Sequence, residues 1–353
     1  MKKLSAVIAI LVMAAMLMPA CAANTPDCTK PDVWCVGLVT DVGKVDDKGF
    51  NQSAWEALQQ AKTDGLVDWV QKIETVNSKD YNENIKVFAN AGYDLIVTSS
   101  VQLGEATMAA AKAYPKILFI AVDQSAGEFT PASETTPANY VGLVFPEDQA
   151  GFLAGALAAM MSETHKIGAV CSSDLNVEIG QLGEGYKAGA AYIDAQMGTT
   201  TEVNVVYHND VALDKASDDP DWGAATANAM VEHGADIIFG AGGKTGESAI
   251  TAGAERGAYV IGVDTDQYYV LPVAAPRMLS SALKMVKPGV YDLIKAAVEG
   301  NFLGGGDFLG TAGYAPFHDM DSSIPEAVKS LISQLNQDLL SGKLQTGVSV
   351  TIP

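Results

Sequence analysis

The stretch TDVGKVDDKGFNQSAWE, residues 40–56, places acidic, amide and aromatic side chains between an apolar run and a predicted helix. Asp41 ends the predicted first strand, and Phe50 and Asn51 begin the helix. A carboxylate accepts hydrogen bonds, an amide both accepts and donates them, and stacking on a ring face contributes about 0.5–1.5 kcal/mol beyond area burial. These groups together suit a neutral ring rich in hydrogen-bonding atoms. The alternative is that Phe50 packs in the core.

Two further candidate binding residues stand at the ends of later apolar runs. Asp264 follows AYVIGV, and Lys284 ends SSALK. If both strands lead into one cleft, the carboxylate can accept from two neighbouring hydroxyls while the ammonium donates to them. Charge-assisted hydrogen bonds of this kind contribute roughly 1.5–3 kcal/mol each. An ordinary salt bridge across the cleft is the alternative.

The glycine-rich segment GAGGKTG, residues 240–246, follows a predicted strand and opens a predicted helix. A phosphate-binding P-loop requires a glycine five residues before Gly243, and Ile238 stands there, so ATP binding is not expected. The glycines still allow a ligand to approach the backbone, and free amides at the helix start can hold an acceptor. A plain tight turn is the alternative.

Composition excludes several classes of function. The chain has 22 Lys and Arg against 42 Asp and Glu, a net charge of -20. Such an acidic protein is not expected to bind nucleic acid, whose phosphates need basic side chains, or to adhere directly to an anionic membrane. The four histidines are scattered, and neither a zinc spacing nor a G-x-S-x-G or H-E-x-x-H motif occurs. We therefore predict no cofactor, no metal and no catalytic residue.

The N-terminus has the pattern of an export signal. A basic start at residues 1–3 precedes an apolar run at 4–18, and PAC then ends at Cys21. The run is shorter than the about 20 residues of a membrane span. We predict cleavage before Cys21 and a lipid on that cysteine as the only membrane attachment; plain secretion is the alternative. Export permits disulfides, and both a Cys28–Cys35 bond and free thiols remain open.

Strand-like and helix-like segments alternate along the chain. Short continuous apolar runs between amphipathic helices indicate parallel sheets covered on both faces. A Ser-, Thr- and Pro-rich stretch at 123–139 interrupts the pattern, which then restarts, so we predict two doubly wound lobes with the ligand between them. The predicted division is an export signal at 1–21, a linker at 22–33, lobe 1 at 34–145 plus about 268–310, and lobe 2 at 146–267 plus about 311–353.

Several motifs resemble the basic membrane protein family, the purine nucleoside receptor lipoproteins that serve ABC importers. The resemblance covers nearly the whole mature chain in order, and it implies a type I periplasmic-binding-protein fold. The matching segments are GLVTDVGKVDDKGFNQSAWEAL at 37–58, FLAGALAA at 152–159, GYKAG at 185–189, ADIIFGAGGKTG at 235–246, VIGVDTDQ at 260–267, LSSALKMVKPGVYDLI at 279–294 and APFHD at 315–319.

The resemblance also implies roles for individual residues. Phe50 would stack on the base and Asp41 would hydrogen-bond to the ligand, while Asp264 and Lys284 would hold the ribose hydroxyls. Asn51 lies in the same motif as Phe50, and a backbone contact is implied near Gly243. Asp123 is added only because it follows the end of a predicted strand. The full predicted set is Asp41, Phe50, Asn51, Asp123, Gly243, Asp264 and Lys284.

The chain departs from the family at one position that bears on the ligand. Members commonly carry a second aromatic residue three residues before the G-[FY]-x-A-G motif, where Leu182 stands here. Either the second face of the site is aliphatic, or another ring such as Trp222 or Tyr186 replaces it. A purine nucleoside is still expected, but a pyrimidine nucleoside or a different small ligand becomes more plausible.

The resulting functional prediction is an extracytoplasmic, monomeric binding lipoprotein. It would close over a nucleoside and deliver it to an ABC permease complex. The alternatives are the same fold binding a free sugar or another small polar metabolite, and a ligand sensor. A nucleoside hydrolase would need a general base or metal cluster that the sequence does not offer.

Overall fold

The computed structural model describes residues 26–349, so the predicted export signal and Cys21 lie outside the described part. The chain forms two six-stranded sheets flanked by helices, and the predicted two-lobed α/β fold is confirmed. No helix within the described residues is long and apolar enough to cross a membrane.

Sheet 1 forms the centre of lobe 1. Its strands, numbered in chain order, are β1 (Cys35–Val42), β2 (Trp69–Thr75), β3 (Leu95–Ser99), β4 (Leu118–Val122), β5 (Tyr140–Val144) and β11 (Gly306–Leu309). They lie in the order β11-β5-β4-β3-β1-β2, and every neighbouring pair is parallel. The central strands are buried on both faces, which explains their continuous apolar sequences.

Sheet 2 forms the centre of lobe 2. Its strands are β6 (Lys166–Cys171), β7 (Glu202–Tyr207), β8 (Ile237–Ala241), β9 (Tyr259–Asp264), β10 (Met278–Lys284) and β12 (Ala312–Tyr314). The order is β12-β10-β9-β8-β6-β7, and only the edge strand β12 is antiparallel to its neighbour. Both sheets therefore present the carboxyl ends of parallel strands along one edge.

Eleven α-helices connect and cover the strands in residues 26–349. They are α1 (Phe50–Thr63), α2 (Tyr81–Asn90), α3 (Gly104–Ala113), α4 (Ala126–Phe129), α5 (Glu147–Met161), α6 (Val177–Met197), α7 (Leu213–Ser217), α8 (Pro220–Glu232), α9 (Gly243–Glu255), α10 (Val286–Val298) and α11 (Glu326–Leu340). Short 3₁₀ turns lie at Ser78–Asp80, Val101–Leu103, Gln267–Tyr269, Ala275–Arg277 and His318–Ser323.

The chain crosses between the lobes three times, after β5, after β10 and after β11. The predicted lobe boundary near residue 268 is wrong, because β10 pairs with β9 in sheet 2 and only α10 and β11 return to lobe 1. A single residue, Met285, separates β10 from α10, so no linker in the sequence marks this crossing.

The tightest packing in lobe 2 joins α5 to α6. Helix α5 is buried around most of its circumference, in keeping with its apolar sequence. A Cβ at Gly155 would collide with the carbonyl oxygen of Tyr186, and one at Gly185 would collide with that of Asp148. Glycine at these positions therefore lets the two helix backbones touch. The first residue of α5, Glu147, lies directly after the chain crosses from lobe 1 to lobe 2.

A disulfide joins Cys28 to Cys35 at the start of β1. Cys35 is fully buried, whereas Cys28 belongs to the segment that leads into the sheet. The bond therefore attaches the beginning of the described chain to the core of lobe 1. Cys171, at the end of β6, is a free and buried thiol.

Candidate ligand-binding site

A space of about 240 Å³ opens where the carboxyl edges of the two sheets meet, and we call it the cleft. Lobe 1 contributes its wall from β1, α1 and the residue after β3, and lobe 2 from β9 and the start of α9. The lining residues are Asp41, Asp47, Phe50, Asn51, Ser100, Gly243, Glu247, Val263, Asp264, Thr265 and Gln267. Five of the seven predicted residues line the cleft, and the other two, Asp123 and Lys284, lie beside it.

The start of α1 is set by Asp47, a residue that the sequence analysis did not single out. One carboxylate oxygen of Asp47 accepts hydrogen bonds from the backbone N–H of Gly49 at 2.7 Å and of Gln52 at 3.0 Å. The other oxygen accepts from the N–H of Asn51 at 3.2 Å. This pairing satisfies amides that the helix leaves free, and it holds Phe50 and Asn51 in the first turn, at the cleft.

Asp41 and Asn51 form a hydrogen-bonded pair in the lobe 1 wall. Asn51 Nδ2 donates to Asp41 Oδ1 at 2.7 Å, while Asn51 Oδ1 is buried and has no hydrogen-bond partner among the described residues. Burial raises the pKa of Asp41 although the Asn51 amide opposes this shift. A buried acceptor without a partner is costly, so this pair is prepared to receive hydrogen-bond donors from a ligand.

Three residues at the strand ends have a backbone conformation that is uncommon outside glycine. Ser100 has φ 88°, Asp123 has φ 59° and Asp264 has φ 67°. Each such conformation costs on the order of 1–3 kcal/mol, and such residues cluster at functional sites, where the surrounding structure holds them in place. Ser100 directly follows β3, Asp123 directly follows β4, and Asp264 is the last residue of β9. The backbone strain therefore lies at the edge of the sheets that faces the cleft.

Lys284, the last residue of β10, lies among four carboxylates. Its Nζ is 2.8 Å from Glu147 Oε1, 2.9 Å from Asp123 Oδ1, 3.5 Å from Glu178 Oε2 and 3.8 Å from Asp264 Oδ1. We call these five residues the lysine cluster. Asp264 and Lys284 are thus brought together as predicted, but on adjacent strands of one lobe, and the shortest contacts of the ammonium are with Asp123 and Glu147.

The lysine cluster also lies close to the predicted stacking residue. Lys284 Nζ is 5.6 Å from the centroid of the Phe50 ring, within cation–π range. Phe50 is half-buried and packs partly against the core of lobe 1, as the core interpretation requires, while its stacking on a ligand stays a prediction. Its remaining surface faces the cleft.

Two carboxylates of the cluster, Glu147 and Glu178, have raised pKa values. Burial raises the pKa of Glu147 well above its usual range, and the Lys284 ammonium only partly opposes this. The ammonium also lowers the pKa of Glu178, but burial and the neighbouring Asp123 and Asp264 outweigh it and raise that pKa to about 7. For Lys284 itself, burial lowers the pKa, but the surrounding carboxylates outweigh burial and raise the pKa well above its usual value.

Asp264 is the member of the cluster that lines the cleft directly. Surrounding protein raises its pKa, although 38% of its side chain remains accessible. This accessible part of the carboxylate is the surface that a ligand can reach. Asp264 therefore combines a desolvated carboxylate with an open face toward the cleft.

Carboxylate oxygens of Asp123, Glu147 and Glu178 lie within 4.8 Å of one another, a spacing that could hold a cation. The Lys284 ammonium is already within 3.5 Å of all three and supplies positive charge there. Sequence reasoning missed Glu147 and Glu178. Each stands in the first turn of a helix that follows a buried strand, where acids are common simply because they complement the helix dipole.

The start of α9 supplies the backbone part of the lobe 2 wall. Gly242 and Gly243 have φ of 91° and 63°. A Cβ on Gly243 would stand 2.6 Å from the carbonyl oxygen of Ser217. Glycine is required at this turn both for its conformation and for space, and the helix amides behind it point toward the cleft edge.

The wall opposite Phe50 is not aromatic. Leu182 is 1% exposed and belongs to the core of lobe 2. Tyr186 is buried against Phe239 with ring centroids 5.3 Å apart, and Trp222 stacks on His208 at 4.1 Å. None of the three lines the cleft, so the structure does not support the alternative that Trp222 or Tyr186 supplies a second ring.

Residues 35–310 match the family described as ABC transporter substrate-binding protein PnrA-like (Bmp). The chain belongs to this family. Its members are substrate-binding proteins rather than enzymes, and binding proteins of ABC transporters work outside the cytoplasm. The predicted family is therefore confirmed.

Named relatives are similar along most of the chain. The CD4+ T-cell-stimulating antigen of Listeria monocytogenes is 31% identical over 77% of this chain and 76% of its own length. Basic membrane protein D of Borreliella burgdorferi is 31% identical over 82% and 80%. The ABC transporter nucleoside-binding protein BmpA of Lactococcus lactis is 27% identical over 97% and 98%.

Solved structures share the fold. A solute-binding protein of an ABC transporter system from Conexibacter woesei superposes with a TM-score of 0.68 at 20% identity, over 91% of this chain and all of that one. A solute-binding protein from Aeropyrum pernix gives a TM-score of 0.63 at 23% identity, over 91% and 94%. At these identities the likeness establishes the two-lobed architecture alone.

Proposed function

We propose that this protein captures a nucleoside for an ABC importer by closing its two lobes over the ligand. The observation that carries the proposal is the chemistry of the two walls of the cleft. The Phe50 ring and the Asp41–Asn51 pair lie in the lobe 1 wall, and Asp264 with the neighbouring Lys284 lies in lobe 2. The first group suits a base, and the second suits a sugar diol. The name of the Lactococcus lactis relative supports the same ligand class.

The ligand contacts follow from the donor and acceptor inventory. Phe50 stacks on the base, while Asp41 and the free Asn51 Oδ1 accept from its N–H groups. Asp264 accepts from the ribose hydroxyls and Lys284 donates to them. A backbone amide near Gly243 adds a donor from lobe 2. Each wall thus contributes to recognition, so the complete site exists only when the lobes are together.

Lobe closure has a structural correlate in the lysine cluster. Lys284 belongs to lobe 2 and Asp123 follows β4 of lobe 1, and their side chains meet at 2.9 Å. This contact is compatible with a closed arrangement, since separating the lobes would expose both charges. The hinge is formed by the three crossings, and two of them directly border Glu147 and Lys284. Hinge closure of this kind is a common mode of ligand capture.

Cys21 attaches the protein to the membrane through a lipid, and the protein acts as a monomer that delivers its ligand to a permease complex. Expression of the wild-type chain and of Cys21→Ala in a bacterial host tests the anchor. The wild type should sediment with the membrane fraction, and the variant should be released. Equal release of both would overturn the lipid anchor and leave the binding function untouched.

The binding proposal is tested by thermal unfolding and calorimetry with nucleosides, free bases and ribose. A ligand at 100 times its dissociation constant should stabilise the fold by about 2.7 kcal/mol. We expect stabilisation by nucleosides and none by ribose. Asp264→Asn should abolish it, since asparagine tolerates the positive φ but lacks the charge. Asp292→Asn, an exposed aspartate on α10, is the matched control.

The outcomes separate the remaining alternatives. Stabilisation by ribose alone would replace the nucleoside by a free sugar. Stabilisation by inosine or guanosine over cytidine or uridine would establish the purine preference, and the reverse order would establish a pyrimidine. Release of free base during incubation would indicate a hydrolase instead of a binding protein. No binding of any nucleoside would refute the proposal.

A further inference from the structure

Glu178 occupies a position in the binding region that the roles described above leave unused. It lies in the first turn of α6, where Asn176 caps the helix by accepting from the N–H of Glu178 at 2.9 Å and of Ile179 at 3.2 Å. The cap fixes the direction of this turn. Glu178 Oε2 then reaches to 3.5 Å from Lys284 Nζ. Leu182 lies one helical turn further on and is buried in the core of lobe 2.

The accessible surface of the lysine cluster is acidic. Lys284 is 5% exposed and Glu147 2%, whereas Glu178 is 35% and Asp264 38% exposed. The ammonium is thus mostly covered: it donates a hydrogen bond to Asp123 Oδ1 at 2.9 Å and lies 2.8 Å from Glu147 Oε1 without a hydrogen bond to it. A ligand that approaches the cluster meets the two carboxylates first.

The rest of the cleft has the same charge. Among the described residues that enclose it, none is Lys or Arg, and Asp41, Asp47 and Glu247 add further carboxylates. Lys244, at the start of α9, pairs with Asp218 at 2.8 Å instead of facing the cleft. A neutral ligand with hydroxyl donors fits these surroundings, while a phosphate group would face repulsion.

We propose that Glu178 is a specificity-determining residue that rejects phosphorylated ligands, so that the cleft accepts a nucleoside and excludes the nucleoside monophosphate. This inference rests on the proposed function. The carboxylate acts by charge: at a few ångströms, a phosphate and a carboxylate repel one another strongly in a partly desolvated site. Asp264 lines the cleft and binds the sugar hydroxyls, whereas Glu178 lies beside it in the lysine cluster and has no contact assigned to the nucleoside.

The ratio of two dissociation constants measures this discrimination. Calorimetry on the purified protein gives the constants for the nucleoside that binds best and for its 5′- and 3′-monophosphates. We expect the wild type to bind both monophosphates at least 100-fold more weakly than the nucleoside. Glu178→Gln should reduce this ratio on the order of tenfold and leave nucleoside affinity within about threefold. Glu178→Ala is a second variant that removes the same negative charge as Glu178→Gln.

Glu184 offers a matched control. It lies on the same helix, is 53% exposed and pairs with Lys187 at 2.7 Å, away from the cluster. Glu184→Gln removes the same charge from the whole protein and should leave the ratio unchanged. An equal change in both variants would show that only net charge matters and would overturn the proposal.

The pH dependence distinguishes a charge effect from a change in shape. Glu178 faces Lys284 from β10, Asp264 from β9, Asp123 from the end of β4 and, through the same ammonium, Glu147 from α5. Its pKa of about 7 means that it is mostly charged at pH 8.5 and mostly neutral at pH 6. The difference between wild type and Glu178→Gln should therefore be large at pH 8.5 and small at pH 6. Comparing the two proteins at each pH cancels the titration of the phosphate itself.

The failures can be told apart. If the wild type binds no nucleoside, the proposed function is wrong. If the wild type binds the nucleoside, the proposed function stands. The role of Glu178 is then wrong if Glu178→Gln keeps the wild-type ratio, or if it lowers affinity for the nucleoside and for the monophosphates equally. A pH-independent difference between the two proteins would likewise overturn the charge mechanism.

Discussion

Lys284 and Asp123 join the two lobes through a buried ion pair. Lys284 Nζ lies 2.9 Å from Asp123 Oδ1, and the side chains are 5% and 12% exposed. Lys284 ends a strand of sheet 2 and Asp123 follows a strand of sheet 1. Removing one member of a buried pair leaves the other charge uncompensated, which is more costly than the pair itself is stabilising. The same lysine also balances Glu147 and Glu178.

Replacement of Lys284 by methionine should therefore be strongly destabilising. We expect the free energy of unfolding to fall by about 3–5 kcal/mol at pH 8. The loss should be smaller at pH 5, because the carboxylates left behind can then take up protons. Urea unfolding of wild type and Lys284→Met at both pH values measures this.

Lys287→Met is the control for that change. Lys287 lies three residues further on, is 42% exposed and pairs with Glu56 at 3.3 Å within lobe 1. Loss of such an exposed pair should cost less than about 1 kcal/mol at either pH. Similar losses in the two variants would mean that the lysine cluster is not the centre of charge balance inferred here.

Phe50→Ala should weaken nucleoside binding. Removing the ring loses the stacking contribution of about 0.5–1.5 kcal/mol and the apolar area that the base covers, so we expect at least a tenfold rise in the dissociation constant by calorimetry. Phe302→Ala truncates another half-buried phenylalanine packed on the same core, outside the cleft lining. A loss of stability without a loss of affinity in Phe50→Ala would assign the residue to the core alone.

Asn51→Leu should also reduce affinity, through two groups at once. The variant lacks the buried Asn51 Oδ1 acceptor and the donor that holds Asp41 at 2.7 Å. Leaving hydrogen-bonding groups unpaired costs about 1–3 kcal/mol each, which corresponds to a loss of affinity of tenfold or more. Asn84→Leu, which removes an amide bonded to Thr75 outside the cleft, should leave affinity unchanged. Unchanged binding in Asn51→Leu would contradict the base-edge role of this pair.

The sequence predicts that the candidate site residues gather in one place, because parallel sheets bring strand ends to one edge. Asp41, Asp123, Asp264 and Lys284 all stand at or after the ends of apolar runs in the sequence, and the fold brings all four to the junction of the two sheets. Phe50 and Asn51 could be predicted because a helix start directly after a strand faces the same edge. Periodicity and turn residues are sufficient for these assignments.

Other features depend on contacts that the chain order does not encode. The crossing after β10 takes one residue, Met285, so apolar periodicity alone cannot show that strand and helix belong to different lobes. Glu147 and Glu178 are ordinary first-turn acids in the sequence, and only the folded chain brings them to Lys284. Leu182 is buried because α5 and α6 approach each other closely, so that the face of α6 that carries Leu182 packs in the core of lobe 2.

The lysine cluster should make stability fall as the pH rises from 5 to 8. The folded-state pKa values of Glu147 and Glu178 lie above the ordinary glutamate value, so the folded protein binds more protons than the unfolded chain in this window. Their contribution is complete below about pH 4.3, the unfolded value, and is lost as the pH passes through the folded value, about 7 for Glu178. The raised pKa of Lys284 adds no slope here, because both states keep that lysine charged until far higher pH.

Urea unfolding of wild type, Glu178→Gln and Glu184→Gln at pH 5, 6, 7 and 8 isolates this effect. The decline should be steepest near pH 7 in the wild type and in Glu184→Gln, and flatter in Glu178→Gln, which carries no titrating group at that position. Carboxylates with lowered pKa, such as Glu56, finish titrating below this window and leave the comparison unaffected. Superimposable profiles for all three proteins would show that Glu178 titrates alike in the folded and unfolded states, and the charge-based selectivity assigned to it near neutral pH would lose its basis.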